Sequence, residues 1–209
     1  MSKIAIIGAG AGIGLLSVAQ ALAKGHSVIA LSTDTSTIPN HPLLIKINGS
    51  ATSVEDLKKV IQHVDAILVT IGTKKKKGTT LFSDTAKALI SAMNKQNCKA
   101  PVLVISGFGV GESIKYTSIL IKLVIKLFLK DQYNDKDIME NLFSKSDLNW
   151  EMVQPGMLTN GELTKRYKNS STLEKGVKIG KISRADVAHY LINEAEKPQN
   201  LHLRVALTY

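Results

Sequence analysis

Lys3-Ile4-Ala5-Ile6-Ile7-Gly8-Ala9-Gly10-Ala11-Gly12-Ile13-Gly14 is an apolar run that breaks into four alternating glycines. The run predicts a strand buried on both faces, because no polar residue interrupts Ile4 to Ile7. The glycines predict a tight strand-to-helix turn, and helical periodicity then carries residues 12–24 as far as Gly25, a C-terminal stop. A strict G-x-G-x-x-G fails, since its third glycine would fall on Ile13; the spacing that fits is Gly8-x-x-x-Gly12-x-Gly14. Glycine there lets the backbone approach a pyrophosphate, and the free amides of the helix start receive its charge. Gly8, Ala9, Gly10, Ala11, Gly12, Ile13 and Gly14 are therefore read as a dinucleotide cradle. Asp34 follows Gly14 by 20 residues, about the separation expected of an acid that binds ribose. The same aspartate, in Ser32-Thr33-Asp34-Thr35-Ser36, also suits a turn cap.

Outward from this unit, strand and helix signals alternate. Strands are expected at 3–7, 27–31, 43–47, 66–70, 101–105, 150–153 and 201–206, the first five covered on both faces. Between them, Ser53 with Asp56 and Ser183 with Asp186 carry capping-box patterns, and Leu81, Thr85, Ala88, Leu89 and Ala92 recur at helical spacing. Further helices are expected over 114–129 and roughly 135–145. The alternation predicts an α/β, Rossmann-type doubly wound fold: a mostly parallel sheet with helices on both faces. The 209 residues fit one NAD(P)-binding domain over 1–209, with 155–181, rich in Gly, Asn, Ser, Thr and Lys, as an irregular loop or cap.

Composition narrows the classes. The chain carries a formal charge of +10, yet of its 27 basic residues only Arg166, Arg184 and Arg204 are arginine. Lysine is poorly suited to bidentate recognition of bases, so the charge reads as a solvated surface and nucleic acid ranks last among partners. Cys98 is the single cysteine, which excludes a disulfide framework, and His26, His41, His63, His189 and His202 show no metal-ligand spacing; no metal is expected. The greasiest stretch, 114–130, is broken by Lys115, Lys122 and Lys126 and makes a poor membrane span. Its expected role is burial against the sheet with lysines reaching outward; the sharper alternative is a substrate channel or a partner surface. A start without a long apolar leader points to a cytoplasmic location.

With these residues placed, the chain resembles the short-chain dehydrogenase/reductase superfamily. It is most similar to its atypical NmrA-like NAD(P)H-binding branch and, within that, to the biliverdin reductase B/flavin reductase group. The likeness runs over residues 4–14, 34–39, Asp65-Ala66-Ile67 leading to Gly72-Thr73, 102–106, Met152-Val153-Gln154-Pro155-Gly156 and Ile182-Ser183-Arg184-Ala185-Asp186-Val187-Ala188. It implies NAD(P) as cofactor, with Thr33, Asp34, Ser50, Gly72, Thr73, Ser106, Pro155 and Gly156 beside it. The chain departs from the pattern in three places. Thr33 stands where relatives often carry an arginine for the 2′-phosphate, Ser50 where an aspartate follows Gly49, and Gln154 where Arg-Pro-Gly begins. NAD and NADP therefore both stay open.

The Tyr-x-x-x-Lys pair of classical members is absent, since Leu120, Asp137, Ser171 and Glu194 stand four residues after Tyr116, Tyr133, Tyr167 and Tyr190. The resemblance then implies hydride transfer to a small planar acceptor (a flavin, quinone or tetrapyrrole) with protons drawn from solvent. Ser106 is the candidate catalytic hydroxyl, although it equally suits a turn cap; Phe108 and Met157 are candidate substrate contacts. The lysine run 74–77 either attracts an anion or forms an exposed loop. A noncatalytic NAD(P)-binding redox sensor is the alternative of a different class.

Overall fold

The computed structural model describes residues 1–75, 77–174 and 177–209. Along the chain run β1 (Lys3–Ile7), α1 (Gly12–Ala23), β2 (Ser27–Ser32), β3 (Leu44–Asn48), α2 (Val54–Val60), β4 (Ala66–Val69), α3 (Leu81–Lys95) and β5 (Val102–Ile105). They are followed by α4 (Ile119–Val124), α5 (Lys130–Ser144), β6 (Trp150–Pro155), β7 (Met157–Thr159), β8 (Lys168–Ser170), β9 (Lys181–Ser183), α6 (Arg184–Glu196) and β10 (Arg204–Thr208). The main sheet has eight strands in the order β3-β2-β1-β4-β5-β6-β10-β8. All pairings in it are parallel except the outermost, β10 with β8. The expected mostly parallel, doubly wound fold is what the chain forms.

Strand alternation divides the core into two layers. Ile4 and Ile6 of β1 pack with Val18 of α1 and Val187 and Leu191 of α6, whereas Ala5 and Ile7 face Leu57 of α2, Phe82 and Leu89 of α3, and Met139 and Phe143 of α5. Each such fully buried Leu, Ile or Phe contributes about 1.5–3 kcal/mol. The caps read from the sequence form: the Ser53 hydroxyl accepts from the Asp56 amide and that of Ser183 from the Asp186 amide. Gly25 takes a positive φ of 81° after α1.

Three expectations need correction. β3 is not covered on both faces; it is the outermost strand, and Ile45 and Lys46 lie exposed. The helix expected over 114–129 is instead a 3-10 turn (Gly111–Tyr116), α4, and a π-helical turn (Ile125–Leu129) leading into α5. That segment is not buried against the sheet either: of its apolar residues Ile125 alone tucks in, while Ile119, Leu120, Leu127 and Phe128 are 86%, 71%, 62% and 59% exposed. A lysine every fourth residue makes this segment too polar for the core, and its apolar face stays outside. The stretch 155–181 holds more order than a loop, with β7 and β9 pairing in a small parallel sheet and β8 completing the main one.

Candidate active site at the carboxyl edge of the sheet

Strand order reverses at β1, which opens a crevice between the loops after β1 and β4, where ligands of such sheets collect. The glycine loop fills one wall. The amides of Gly8 and Ala9 are spent on the Leu31 carbonyl at 2.9 and 3.0 Å, which pins the loop to β2. A side chain on Gly8 would strike the backbone of Ile71, and one on Gly10 would strike the Ser32 hydroxyl. A side chain on Gly14 would strike the Gly8 carbonyl and Thr70 Oγ1. Thr70 closes this junction by donating its hydroxyl to Ile7 O at 2.9 Å.

Among the described residues no side chain caps the first turn of α1 after Ala11, and that turn carries no acid, an arrangement suited to an anion. Gly12, at φ 54°, is exposed, and atoms of the Arg184 side chain lie 3.9 Å from where its side chain would stand. The Arg184 guanidinium donates to Asn160 Oδ1 at 2.7 Å, which holds a permanent charge beside the cradle. The sequence places Arg184 in a capping-box segment that resembles the family and gives it no role toward the cofactor.

At the end of β2, Asp34 Oδ1 accepts from the Ser36 amide at 2.9 Å, and hydrogen bonding by the Ser36 hydroxyl, with this amide second, keeps its carboxyl below the usual range. Asp34 thus does form the turn that its neighbours suggested, with the exposed Thr33 beside it. Ser50, after β3, shares its hydroxyl with Thr52 and receives its own fold from Asp56, which accepts the Ser50 amide at 3.0 Å. Gly72, after β4, has none of the described residues within 4 Å of where a side chain would stand, and Thr73 Oγ1 accepts from the Lys75 amide. Lys74, Lys75 and Lys77 are exposed; Lys76 lies outside the described residues.

The far wall follows β5. Ser106 is 2% exposed, and its Oγ finds no hydrogen-bond partner among the described residues, so it caps no turn there. A buried hydroxyl with no bond costs about 1–3 kcal/mol, a cost that a polar group brought beside it would relieve. Behind it stand Tyr133 and Lys136 of α5. Lys136 Nζ donates to Ser106 O at 2.8 Å and lies 5.0 Å from the Phe82 ring centre, and the Tyr133 hydroxyl donates to Phe108 O at 3.4 Å. Burial holds the Lys136 ammonium down at about 8 against the pull of Glu140, and burial raises the Tyr133 phenol.

Neither residue was singled out from the sequence. The spacing tested was Tyr-x-x-x-Lys, whereas Tyr133 and Lys136 stand one residue closer, a separation that also shares a helix face. The signal lay in a lysine on the inward face between Asp135 and Met139.

Phe108 is 7% exposed and its amide donates to Pro155 O at 3.0 Å, so the ring anchors this loop and offers little face to a substrate. Gly156 admits no side chain, because its Cβ would meet the Gly180 carbonyl. Met157 is exposed rather than packed in the core. Gln154 donates to Glu140 Oε1 at 2.9 Å, and Glu140 Oε2 accepts from Arg204 at 2.9 Å, a buried chain that braces α5 against β6 and β10. A recess of about 500 Å3 lined by residues 61–64 and 96–100 lies at the opposite end, before β4 and β5 begin, away from all of these groups.

The sequence model of a family described as NAD(P)H-binding matches residues 8–198. The chain belongs to that family. Solved structures share its fold, among them a short-chain dehydrogenase/reductase from Veillonella parvula in complex with NADP. It is 16% identical, covering 100% of this chain and 94% of its own, with a TM-score of 0.83. ChuY, an anaerobilin reductase from Escherichia coli O157:H7, is 21% identical over 99% and 97% of the two chains, with a TM-score of 0.81. A candidate NADH-flavin reductase from Streptococcus pneumoniae is 24% identical over 100% and 99%, with a TM-score of 0.79. The expected kinship with NAD(P)H-binding chains is borne out, and NAD(P) is the cofactor of the family.

The residues present suit that cofactor. The uncapped first turn of α1 with Arg184 beside Gly12 suits a pyrophosphate, the open side of Gly72 allows close backbone approach, and the unbonded Ser106 Oγ suits a polar group at the far end.

Proposed function

We propose that this NAD(P)H-binding protein is a reductase that passes hydride to a small planar acceptor, a flavin, quinone or tetrapyrrole. The observation that carries the proposal is the buried, unbonded hydroxyl of Ser106 at the end of β5, backed by a lysine whose ammonium is held at about 8. When bound, the reduced nicotinamide supplies the hydride. The chain's own part is positioning: the first turn of α1 and Arg184 hold the phosphates, and Thr33 and Asp34 flank the adenosine ribose. Ser106 orients the reacting end by hydrogen bonding, with Pro155 and Gly156 as its floor. Lys136 is a positioning residue, since its ammonium grips the Ser106 carbonyl and sets where the hydroxyl points. Solvent supplies the proton that the acceptor takes up. Both ChuY and the streptococcal candidate carry names of reductases acting on such acceptors, which agrees with this reading.

The test is titration with NADH and NADPH by fluorescence, followed by addition of flavin, quinone and biliverdin while absorbance at the nicotinamide band is followed. Oxidation of the cofactor by one of these acceptors is expected. Binding with no oxidation by any of them would make the chain a redox sensor, and the absence of binding would overturn both readings.

A further inference from the structure

The segment 118–130, Ser-Ile-Leu-Ile-Lys-Leu-Val-Ile-Lys-Leu-Phe-Leu-Lys, has no use in the site described above and stands on the surface with its apolar residues outward. Ile125 alone is buried, held against the loop at Gly109, where a side chain would come within 2.9 Å of Ile125 Cδ1. Ile119, Leu120, Leu123, Val124, Leu127 and Phe128 are exposed. Lys122, Lys126 and Lys130 follow one another at four-residue steps along one flank, and no acid occurs between Glu112 and Asp131. An exposed patch of this kind is far from the scattered apolar residues of an ordinary surface.

The charge around it is concentrated on the same side. Asp131 Oδ2 accepts from the Gly78 amide at 2.7 Å, and Gln132 donates to Lys75 O at 2.9 Å. These bonds fasten the loop bearing the exposed Lys74, Lys75 and Lys77 to the first turn of α5, directly after the apolar segment. A greasy helical face flanked by lysines matches a surface that is apolar within and anionic at its rim. A second copy of the chain fits less well, because a two-fold contact through this segment would bring two lysine rows together with no acid in it to answer them. Among the described residues no helix is long and apolar enough to cross a membrane, so the segment would lie on the surface rather than span.

We propose that residues 119–128 seat this protein on an anionic lipid bilayer, with Leu120, Leu123, Leu127 and Phe128 entering the interface and Lys122, Lys126 and Lys130 meeting the headgroups. The proposal is independent of the acceptor chemistry, since its readout is partitioning and not turnover.

The experiment is flotation of the full chain with unilamellar vesicles of pure phosphatidylcholine, or of phosphatidylcholine with phosphatidylglycerol. The protein is expected to float with the anionic vesicles only, and less so as salt rises. The double variant Leu123→Glu/Leu127→Glu is expected to stay behind. Lys122→Ser/Lys126→Ser/Lys130→Ser is expected to lower partitioning by on the order of a hundredfold. Thermal melts of both variants matching the parent show that the body is intact, as exposed positions predict. Failure of the parent to float with anionic vesicles overturns the proposal. So does equal flotation of the leucine variant, which would assign binding to diffuse lysine charge. Sedimentation showing self-association that the leucine variant abolishes would give the face to a second copy and equally overturn it.

Discussion

Lys136 Nζ reaches the carbonyl oxygen of Ser106 across 2.8 Å, joining α5 to the end of β5 directly behind a hydroxyl that no group among the described residues satisfies. The bond is charge-assisted, and so strongest, only with the protonated amine, and burial holds its titration at about 8. Acceptor reduction is therefore expected to fall as pH rises through about 8. Lys136→Met should lower kcat at least tenfold and remove that limb, whereas Lys136→Arg should carry activity past it. A kcat profile from pH 6 to 10 for the three proteins decides the matter; a parent-like alkaline limb in Lys136→Met would show that another group titrates.

Gly14 has no room for a methyl group between the Gly8 carbonyl and Thr70 Oγ1. Gly14→Ala must push α1 away from β1, at a cost of about 1–3 kcal/mol, and displace the amides meant for phosphate. Nucleotide affinity is expected to drop at least tenfold by fluorescence titration, with a lowered Tm. Arg184→Ala, which strains nothing, should weaken the nucleotide and leave the Tm alone.

Thr33 is exposed at the end of β2 beside Asp34, on the side of the crevice assigned to the adenosine ribose. Thr33→Arg is expected to raise the preference for NADPH over NADH by about tenfold, because guanidinium pairs with phosphate in two parallel bonds. Equal dissociation constants before and after substitution would place the 2′ position elsewhere.

Glu151 is fully buried beneath Tyr190, whose hydroxyl donates to Oε1 at 2.6 Å, and the nearby Glu194 adds to the burial that lifts its carboxyl from 4.5 to about 8. Between those two values the unfolded chain releases a proton that the native chain keeps. Stability must then fall as pH rises across the window and level off above it. A Tm loss on the order of 5–10 °C between pH 5 and 8 is expected of the parent. Glu151→Gln should flatten it, and scanning calorimetry at both pH values compares them.

Asp135, 3% exposed, accepts the amides of Phe82 and Ser83 at 2.8 and 3.2 Å and so caps α3 from a neighbouring helix, where Thr80 makes no such bond. Asp135→Ala should cost about 2–3 kcal/mol in denaturant unfolding, as two buried amides lose a charged acceptor. A loss below about 0.5 kcal/mol would mean that water replaces it.

The parts legible in the sequence were those with a local cause. The strand, turn and helix around Gly8 to Gly14 form as expected because they are neighbours in the chain, and the caps at Ser53 and Ser183 because a cap needs only the next turn. What the sequence hid depends on distant partners. Lys136 matters because α5 folds over β5, Arg184 because α6 lies against α1, and Asp135 because its amides sit more than 50 residues earlier. The 114–129 stretch misled because apolar content alone does not say which side of a helix finds a neighbour. β3 misled for the same reason, since an apolar run cannot announce that it will be outermost.

That outermost place has a consequence for how copies of the chain coexist when crowded. An open sheet ends on two strands whose backbone groups are unspent and can recruit a strand from another molecule. Here β8 offers only three residues, led by Lys168, and β3 carries Lys46 at its middle, tied to Ile38 O at 2.9 Å. Each border strand thus carries a lysine, whose charge opposes the docking of a further strand.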